Sequence, residues 1–271
     1  MSQRSRALVA KLVLSVDSVT IPGGEVSRRL GKGFVNQLLT PQERVVLQVQ
    51  GGLAEGIWLD LNPRTDRHYY RGDVEQPVQE ALRTKLQPGM VIYDIGANIG
   101  FFTLLMQRLV GESGQVFAFE PDPDVVCELE ANVQRNGCES VSVTCAAVWS
   151  STGSVGFARA DPQQSPNRGT GSVGVDGAED CIVSKSVSLD EFVQSAPPPH
   201  LIKCDVEGAE VEVFRGASGL LAKYRPLILC EVHSAGHGRE LGRILGSAGY
   251  VLESIDPTHL LATPRAESET R

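Results

Sequence analysis

Six side chains in this 271-residue sequence could do chemistry together, and each stands at the end of an apolar run. Asp94 closes V-I-Y-D and Glu120 closes V-F-A-F-E; Asp205 and Glu207 follow L-I-K-C, while Glu231 and His233 follow L-I-L-C. A carboxylate can accept hydrogen bonds from ligand hydroxyls, attract a cation or take a proton, and an imidazole exchanges a proton near neutral pH. Six such groups on one rim would suit a polar, positively charged or hydroxylated ligand better than a phosphate.

The stretch that must position them runs from Val91 to Phe102, V-I-Y-D-I-G-A-N-I-G-F-F. Its apolar start reads as a parallel strand covered on both faces. Gly96 and Gly100 lack a Cβ, so the chain can turn sharply and a ligand can approach the backbone at a helix N-terminus. The dinucleotide pattern G-x-G-x-x-G is absent, since Asn98 stands at its second glycine, and no G-K-[ST] follows. Asp94 would repel a pyrophosphate but suits a ligand carrying an ammonium and a sulfonium, as S-adenosylmethionine does. Glu120 lies 26 residues beyond Asp94, where an acid at the next strand end can accept from a ribose diol.

Composition narrows the classes. The chain is 41% hydrophobic and 21% charged, ordinary for a soluble globular protein. A net charge of -8 weighs against a nucleic-acid partner. Cys127, Cys138, Cys145, Cys181, Cys204 and Cys230 form no C-x-x-C pair, which suggests a reduced, cytoplasmic protein without structural zinc. No apolar run reaches the roughly 18 residues of a membrane span, so stable membrane insertion is not expected. At the N-terminus Leu8, Val9, Leu12 and Val13 suggest an amphipathic helix, and Pro22 to Lys32 a loop.

Further along, Val45 to Val49 and Gly56 to Leu61 read as a hairpin around Gly51-Gly52, and Val78 to Leu86 as a helix. Helices are expected at Phe101 to Val110 and Asp122 to Asn136, with strands at Gln115 to Phe119 and at Val141 to Val148, the latter broken near Cys145. Ser150 to Asp180 reads as a hairpin with a mobile loop, and Ser188 to Glu191 as a capping box opening a short helix. Strands at Leu201 and Leu227, helices after each, and two final strands at Tyr250 to Ile255 and Leu260 to Thr263 complete the pattern. This alternation predicts an α/β fold with a doubly wound, mostly parallel seven-stranded sheet. The expected organisation is an N-terminal extension over residues 1–70, a main domain over 71–263 and a loose tail over 264–271. In such sheets ligands sit at the carboxyl ends of the strands, which gathers the six groups.

The segments D-I-G-A-N-I-G, F-E-P-D, V-S-L-D-E-F, L-I-K-C-D-V-E-G-A-E and P-L-I-L-C-E-V-H together resemble the FkbM family of S-adenosylmethionine-dependent methyltransferases, and the first alone resembles motif I of class I methyltransferases. The resemblance spans about Tyr70 to Tyr250. It implies a Rossmann-like fold and methyl transfer to a hydroxyl of a sugar, polyketide or other small natural product. It places the methionine end of the cofactor near Asp94, Gly96, Ala97 and Asn98, the ribose on Glu120, and the adenine near Pro121, Asp122, Ala146 and Ala147.

An alkyl hydroxyl needs a base, and the candidates are Asp205, Glu207, Glu231 and His233. Asp205 is placed best, because its strand should adjoin that of Asp94, while His233 has the better intrinsic basicity. Asp205 and Glu207 could instead merely cap a helix. A divalent metal on Asp205, Glu207, Glu231 and His233 is chemically open but not favoured, since the spacing follows no recognised ligand pattern. The competing functions are a cofactor-binding scaffold without turnover and an NAD-dependent oxidoreductase, the latter disfavoured by Asp94 and the missing third glycine.

Overall fold

A computed structural model describes residues 6, 7, 10, 11, 14, 43–63, 65–159, 172, 173 and 181–266. Leu8, Val9, Leu12 and Val13, the Pro22 to Lys32 segment, residues 160–171 and 174–180 of the expected loop, and the tail from 267 lie outside the described residues. The chain divides into two compact units, Met1–Val74 and Glu75–Arg271.

In the first unit, strands β1 (Val45–Gln48) and β2 (Trp58–Leu61) pair antiparallel, Val45 opposite Leu61. The alternation read in the sequence is present, with Leu59 and Leu61 buried while Trp58 is exposed. The short helix α1 (Arg67–Arg71) follows, and Gly72 ends it in a left-handed conformation. A Cβ on Gly72 would lie 2.0 Å from the Gly51 carbonyl oxygen, so the helix end and the hairpin turn require a glycine there. No periodic apolar pattern announces α1, and the sequence reading missed it.

The second unit opens with α2 (Gln76–Lys85), whose inward face is Val78, Gln79 and Leu82. Strand β3 (Val91–Ile95) then enters the centre of the main sheet. Helix α3 (Phe101–Val110), strand β4 (Gln115–Glu120), helix α4 (Pro123–Arg135) and strand β5 (Val141–Cys145) make the first half. Beyond Ala146 the chain leaves this sheet. Strands β6 (Ala147–Val148), β7 (Gly153–Ala158), β8 (Ser172–Val173) and β9 (Cys181–Val187) form a smaller sheet; β7 and β8 pair antiparallel inside the stretch expected as a hairpin, and β7 also pairs antiparallel with β9, just beyond it. The break at Cys145 is thus a change of sheet.

The chain returns through α5 (Leu189–Phe192), capped by the Ser188 hydroxyl accepting from the Glu191 N–H. Strand β10 (Leu201–Cys204), helices α6 (Glu210–Arg215) and α7 (Ser218–Tyr224), strand β11 (Leu227–Glu231), helix α8 (Ala235–Ser247) and strands β12 (Tyr250–Ser254) and β13 (His259–Pro264) complete it. Among the described residues the main sheet has seven strands in the order β12-β13-β11-β10-β3-β4-β5, parallel except at β13.

Strand order reverses between β3 and β10, which lie side by side with Asp94 opposite Lys203. Every residue of β10 is buried, as is β3 beyond Val91, because helices cover both faces. On one face Tyr93, Phe117, Phe119 and Phe192 meet edge to face with centroids 4.8–6.0 Å apart. The Tyr93 hydroxyl donates to the Pro197 carbonyl at 2.8 Å, satisfying a polar tip at the core's edge. The fully buried rings of Tyr93 and Phe119 each contribute about 2 kcal/mol through burial, so the centre of the sheet gives the adjacent strand ends a rigid base.

Candidate active site

The turn after β3 is made by backbone geometry. Gly96, Asn98 and Gly100 have φ of 80°, 50° and 93°. A Cβ on Gly96 would lie 1.7 Å from the Asp205 carbonyl oxygen, so a glycine is what lets the ends of β3 and β10 touch. Across that contact Asp205 donates its N–H to the Ile95 carbonyl at 2.9 Å. On the other side Gly96 and Ala97 both donate to the Phe119 carbonyl at 3.0 Å. The turn is thereby fixed to both neighbouring strands.

Glu120 joins two turns. Its carboxylate accepts the Asn98 N–H and the Asp122 N–H, each at 3.0 Å, and the residue is 3% exposed. Burial pushes its carboxyl up to about 7 against the pull of those two N–H groups. A cleft is lined by Gly96, Glu120, Pro121 and Ala147 from the expected cofactor set, and by Asp205 and Glu207 from the expected catalytic set. Ala146 and Phe157 complete the side next to Glu120. Phe157, on β7, was missed because its stretch reads as a hairpin with a mobile loop, and nothing local shows that this hairpin belongs to a second sheet bordering the cleft.

The other expected cofactor residues are not among those that line the cleft. Asp94 is 0% exposed; Thr103 donates to its Oδ2 at 2.5 Å, while its Oδ1 has no hydrogen-bond partner among the described residues. Burial pushes its carboxyl up, with Lys203 and Thr103 opposing. Ala97 is buried in a small cluster with Ala118 and Leu129, and Gly100 packs so closely on Leu129 that a Cβ would lie 2.5 Å from its Cδ1. The Asn98 side chain accepts from the Ile99 N–H at 2.7 Å. Asp122 caps α4 through the Asp124 N–H and pairs with Arg159 at 2.7 Å.

Lys203 ties the first acid to the second. Its ammonium is 3.4 Å from Asp205 Oδ2 and lies 4.8 Å from the centroid of the Phe102 ring. Burial would lower its pKa, yet the charges of Asp205, Asp94 and Glu75 outweigh that and raise it. Asp205 is held below the ordinary carboxylate range: burial pushes up, and Lys203, a hydrogen bond shared with Glu231, and His233 prevail. Glu231 takes the other side of this exchange, and burial with the Asp205 charge pushes it up to about 7.

Asp205, Glu207, Glu231 and His233 are brought together. His233 Nε2 lies 3.4 Å from Glu207, 3.8 Å from Glu231 and 3.9 Å from Asp205, and its Nδ1 meets the buried Glu210. That hydrogen bond raises the imidazole to about 9, with burial opposing. Glu207 adopts a left-handed φ of 47°, a strained conformation for a residue other than glycine, and burial pushes its carboxyl up. Ligand atoms of Asp205, Glu231 and His233 fall within 4.8 Å of one another, as do those of Glu75, Glu231 and His259; the first arrangement is also that of an imidazolium among carboxylates. His259, opposite Glu231 in the register and 3.8 Å from its Oε2, was missed because antiparallel pairing of β13 cannot be read from spacing.

The strand order, with β13 alone reversed and the site at the switch between β3 and β10, is that of the class I methyltransferases. Residues 94–252 match the family model described as the methyltransferase FkbM domain. The chain is 30% identical over 176 residues to the hexuronic acid methyltransferase AglP of Haloferax volcanii, covering 64% of this chain and 69% of that protein. It is 36% identical over 102 residues to the 31-O-demethyl-FK506 methyltransferase FkbM of Streptomyces tacrolimicus, covering 38% of this chain and 34% of that one. Among solved structures, methyltransferase FkbM from Methylobacillus flagellatus KT superposes with a TM-score of 0.47 at 17% identity, over 68% of this chain and 50% of that chain. The chain belongs to the FkbM family of S-adenosylmethionine-dependent methyltransferases. Among the described residues no helix is long and apolar enough to cross a membrane.

Proposed function

We propose that this chain binds S-adenosylmethionine in the cleft beside Glu120 and methylates a hydroxyl oxygen of a sugar, polyketide or other small natural product. The observation that carries the reading is the presence of Glu120 and Asp205 in the wall of one cleft, at the ends of strands that flank β3. Relatives named for hexuronic acid and for 31-O-demethyl-FK506 suggest the acceptor classes. The cleft suits the cofactor: an acid for a ribose diol, small alanines at 146 and 147, and carboxylates opposite a cationic centre. A cytoplasmic location belongs to the same proposal and rests on the cysteine pattern.

When bound, S-adenosylmethionine supplies a methyl group already activated on a positively charged sulfur. The residues then have to hold the acceptor oxygen in line and remove its proton. Glu120, once ionised, accepts from the ribose hydroxyls. Asp205 is ionised at neutral pH and takes the acceptor's proton as the oxygen takes the methyl group. Glu231, hydrogen-bonded to Asp205 and titrating at about 7, relays that proton outward. His233 keeps its own proton to about pH 9, so it acts as a donor among the acids and the base role falls to Asp205. Glu207 borders the acceptor space.

The test is calorimetric titration of the full chain with S-adenosylhomocysteine and, separately, with NAD, followed by methyl transfer to a panel of neutral sugars, uronic acids and polyketide alcohols. Saturable binding of the first ligand only, with transfer abolished in Asp205→Asn while binding persists, is the expected result. Tight NAD binding would favour an oxidoreductase, and binding without transfer to any hydroxyl would favour a scaffold.

A further inference from the structure

Glu210 has no part in the transfer scheme above, yet three chain segments converge on its carboxylate. It opens α6, and its side chain is 0% exposed. One oxygen meets Nδ1 of His233 at the end of β11 and also accepts the Gly208 N–H at 3.1 Å, from the turn that follows β10. The other oxygen lies 3.1 Å from Nδ1 of His237, in the first turn of α8. A buried carboxylate is tolerated only where donors meet it, and the surrounding groups supply three.

The geometry points to Glu210 as the positioning residue of the acceptor side, fixing the ring of His233 so that Nε2–H faces Asp205, Glu207 and Glu231. A carboxylate on one imidazole nitrogen sets both the rotamer and the proton carried by the other. The groups facing the ring are Glu210 from α6, Asp205 and Glu207 from the turn after β10, and Glu231 from β11. Lys203 stands behind Asp205, and His259 of β13 behind Glu231. Three of the four acids lie on the Nε2 side, and Glu210 alone holds Nδ1. Without it, nothing among these contacts would stop the ring from turning, and the cleft-wall acids Asp205 and Glu207 would lose the cation they share. The imidazolium state follows from the same contact; burial pushes the Glu210 carboxyl up, but its hydrogen bonds from His233 and Gly208 prevail and leave it below its ordinary value.

The inference concerns the site of the proposed methyl transfer, but its test needs no acceptor. The full chain, saturated with S-adenosylhomocysteine or free, is labelled with ¹⁵N in its histidine rings and titrated from pH 5 to 10 by NMR. In the unsubstituted protein His233 should titrate near 9 with both ring nitrogens protonated at pH 7. In Glu210→Gln the titration should fall toward the ordinary value of 6.5, leaving about thirtyfold less imidazolium at pH 8. His237→Gln, at a part-exposed position, should leave the His233 titration near 9, because the Glu210 bond to His233 is untouched. An unchanged titration in Glu210→Gln would overturn the inference, and so would a fall in His237→Gln. If Glu210→Gln does not fold, Glu210→Asp decides: a shortened carboxylate should lower the His233 titration while its chemical shifts remain those of a folded protein, and no change would again refute the assignment. Failure to bind S-adenosylhomocysteine would count against the cofactor proposal and leave these ring titrations readable.

Discussion

The two halves of the site are built differently. Around the glycine turn and Glu120, nearly every contact uses backbone: the Asn98 and Asp122 N–H groups on one carboxylate, and the Gly96 and Ala97 N–H groups on the Phe119 carbonyl. Around His233, nearly every contact joins one side chain to another, and the contributors come from the turn after β10, α6, β11 and α8. A backbone frame presents the same donors whatever the ligand's outer parts are, while a side-chain cluster can be retuned one residue at a time. On the proposed function, the first half would hold the constant cofactor and the second the variable acceptor.

That contrast can be broken by substitutions whose effects should appear in different constants. The largest change is expected from Asp205→Asn, which should cut kcat by about 10² to 10⁴ through loss of the base while S-adenosylhomocysteine affinity stays within a few-fold; an equal loss in both constants would erase the division. Gly96→Ala should damage both halves at once. Its Cβ would fall 1.7 Å from the Asp205 carbonyl oxygen at a φ of 80°, so chemical denaturation should register a loss of more than about 3 kcal/mol. Unchanged stability would mean that the two strand ends are free to part.

Glu120→Ala should weaken S-adenosylhomocysteine binding by roughly ten- to a hundredfold, the worth of charge-assisted hydrogen bonds to a diol, and calorimetry measures it directly. The same site has a pH signature. The Glu120 carboxyl sits at about 7 in the ligand-free protein; below that it carries a proton and loses an acceptor, so affinity should fall as pH drops through 7, and this limb should vanish in Glu120→Ala. The smallest effect is expected from Arg159→Ala. Its ion pairs with Asp122 and Asp124 are partly exposed, so stability should change by less than about 1 kcal/mol.

The same division decided what could be read in advance. Strand, turn and helix around Val91 to Val110, the acid at Glu120 and the seven-strand alternation were legible because spacing and apolar runs encode backbone paths. Asp94 shows the limit: its place at a strand end was clear, but the cross-strand Lys203 and the Thr103 bond that hold it in place depend on register and on a helix turn nine residues later. His233 stands out by its chemistry alone, but its protonation cannot be inferred from the sequence because Glu210 lies 23 residues earlier on another element. Phe157 and His259 entered the site through a second sheet and an antiparallel return: the hairpin and the final strands were legible, but the pairings that carry them to the site leave no local pattern.

The touching ends of β3 and β10 also bear on how such a site can diversify. Gly96 and Asp205 share one backbone contact, so the point where a methyl donor would end and the point where an acceptor would begin are fixed to each other like two marks on one ruler. New acceptors can then be accommodated by altering Glu207, His233 or His237 without resetting that distance, and a library directed at those positions should yield changed substrate preference among variants that still fold.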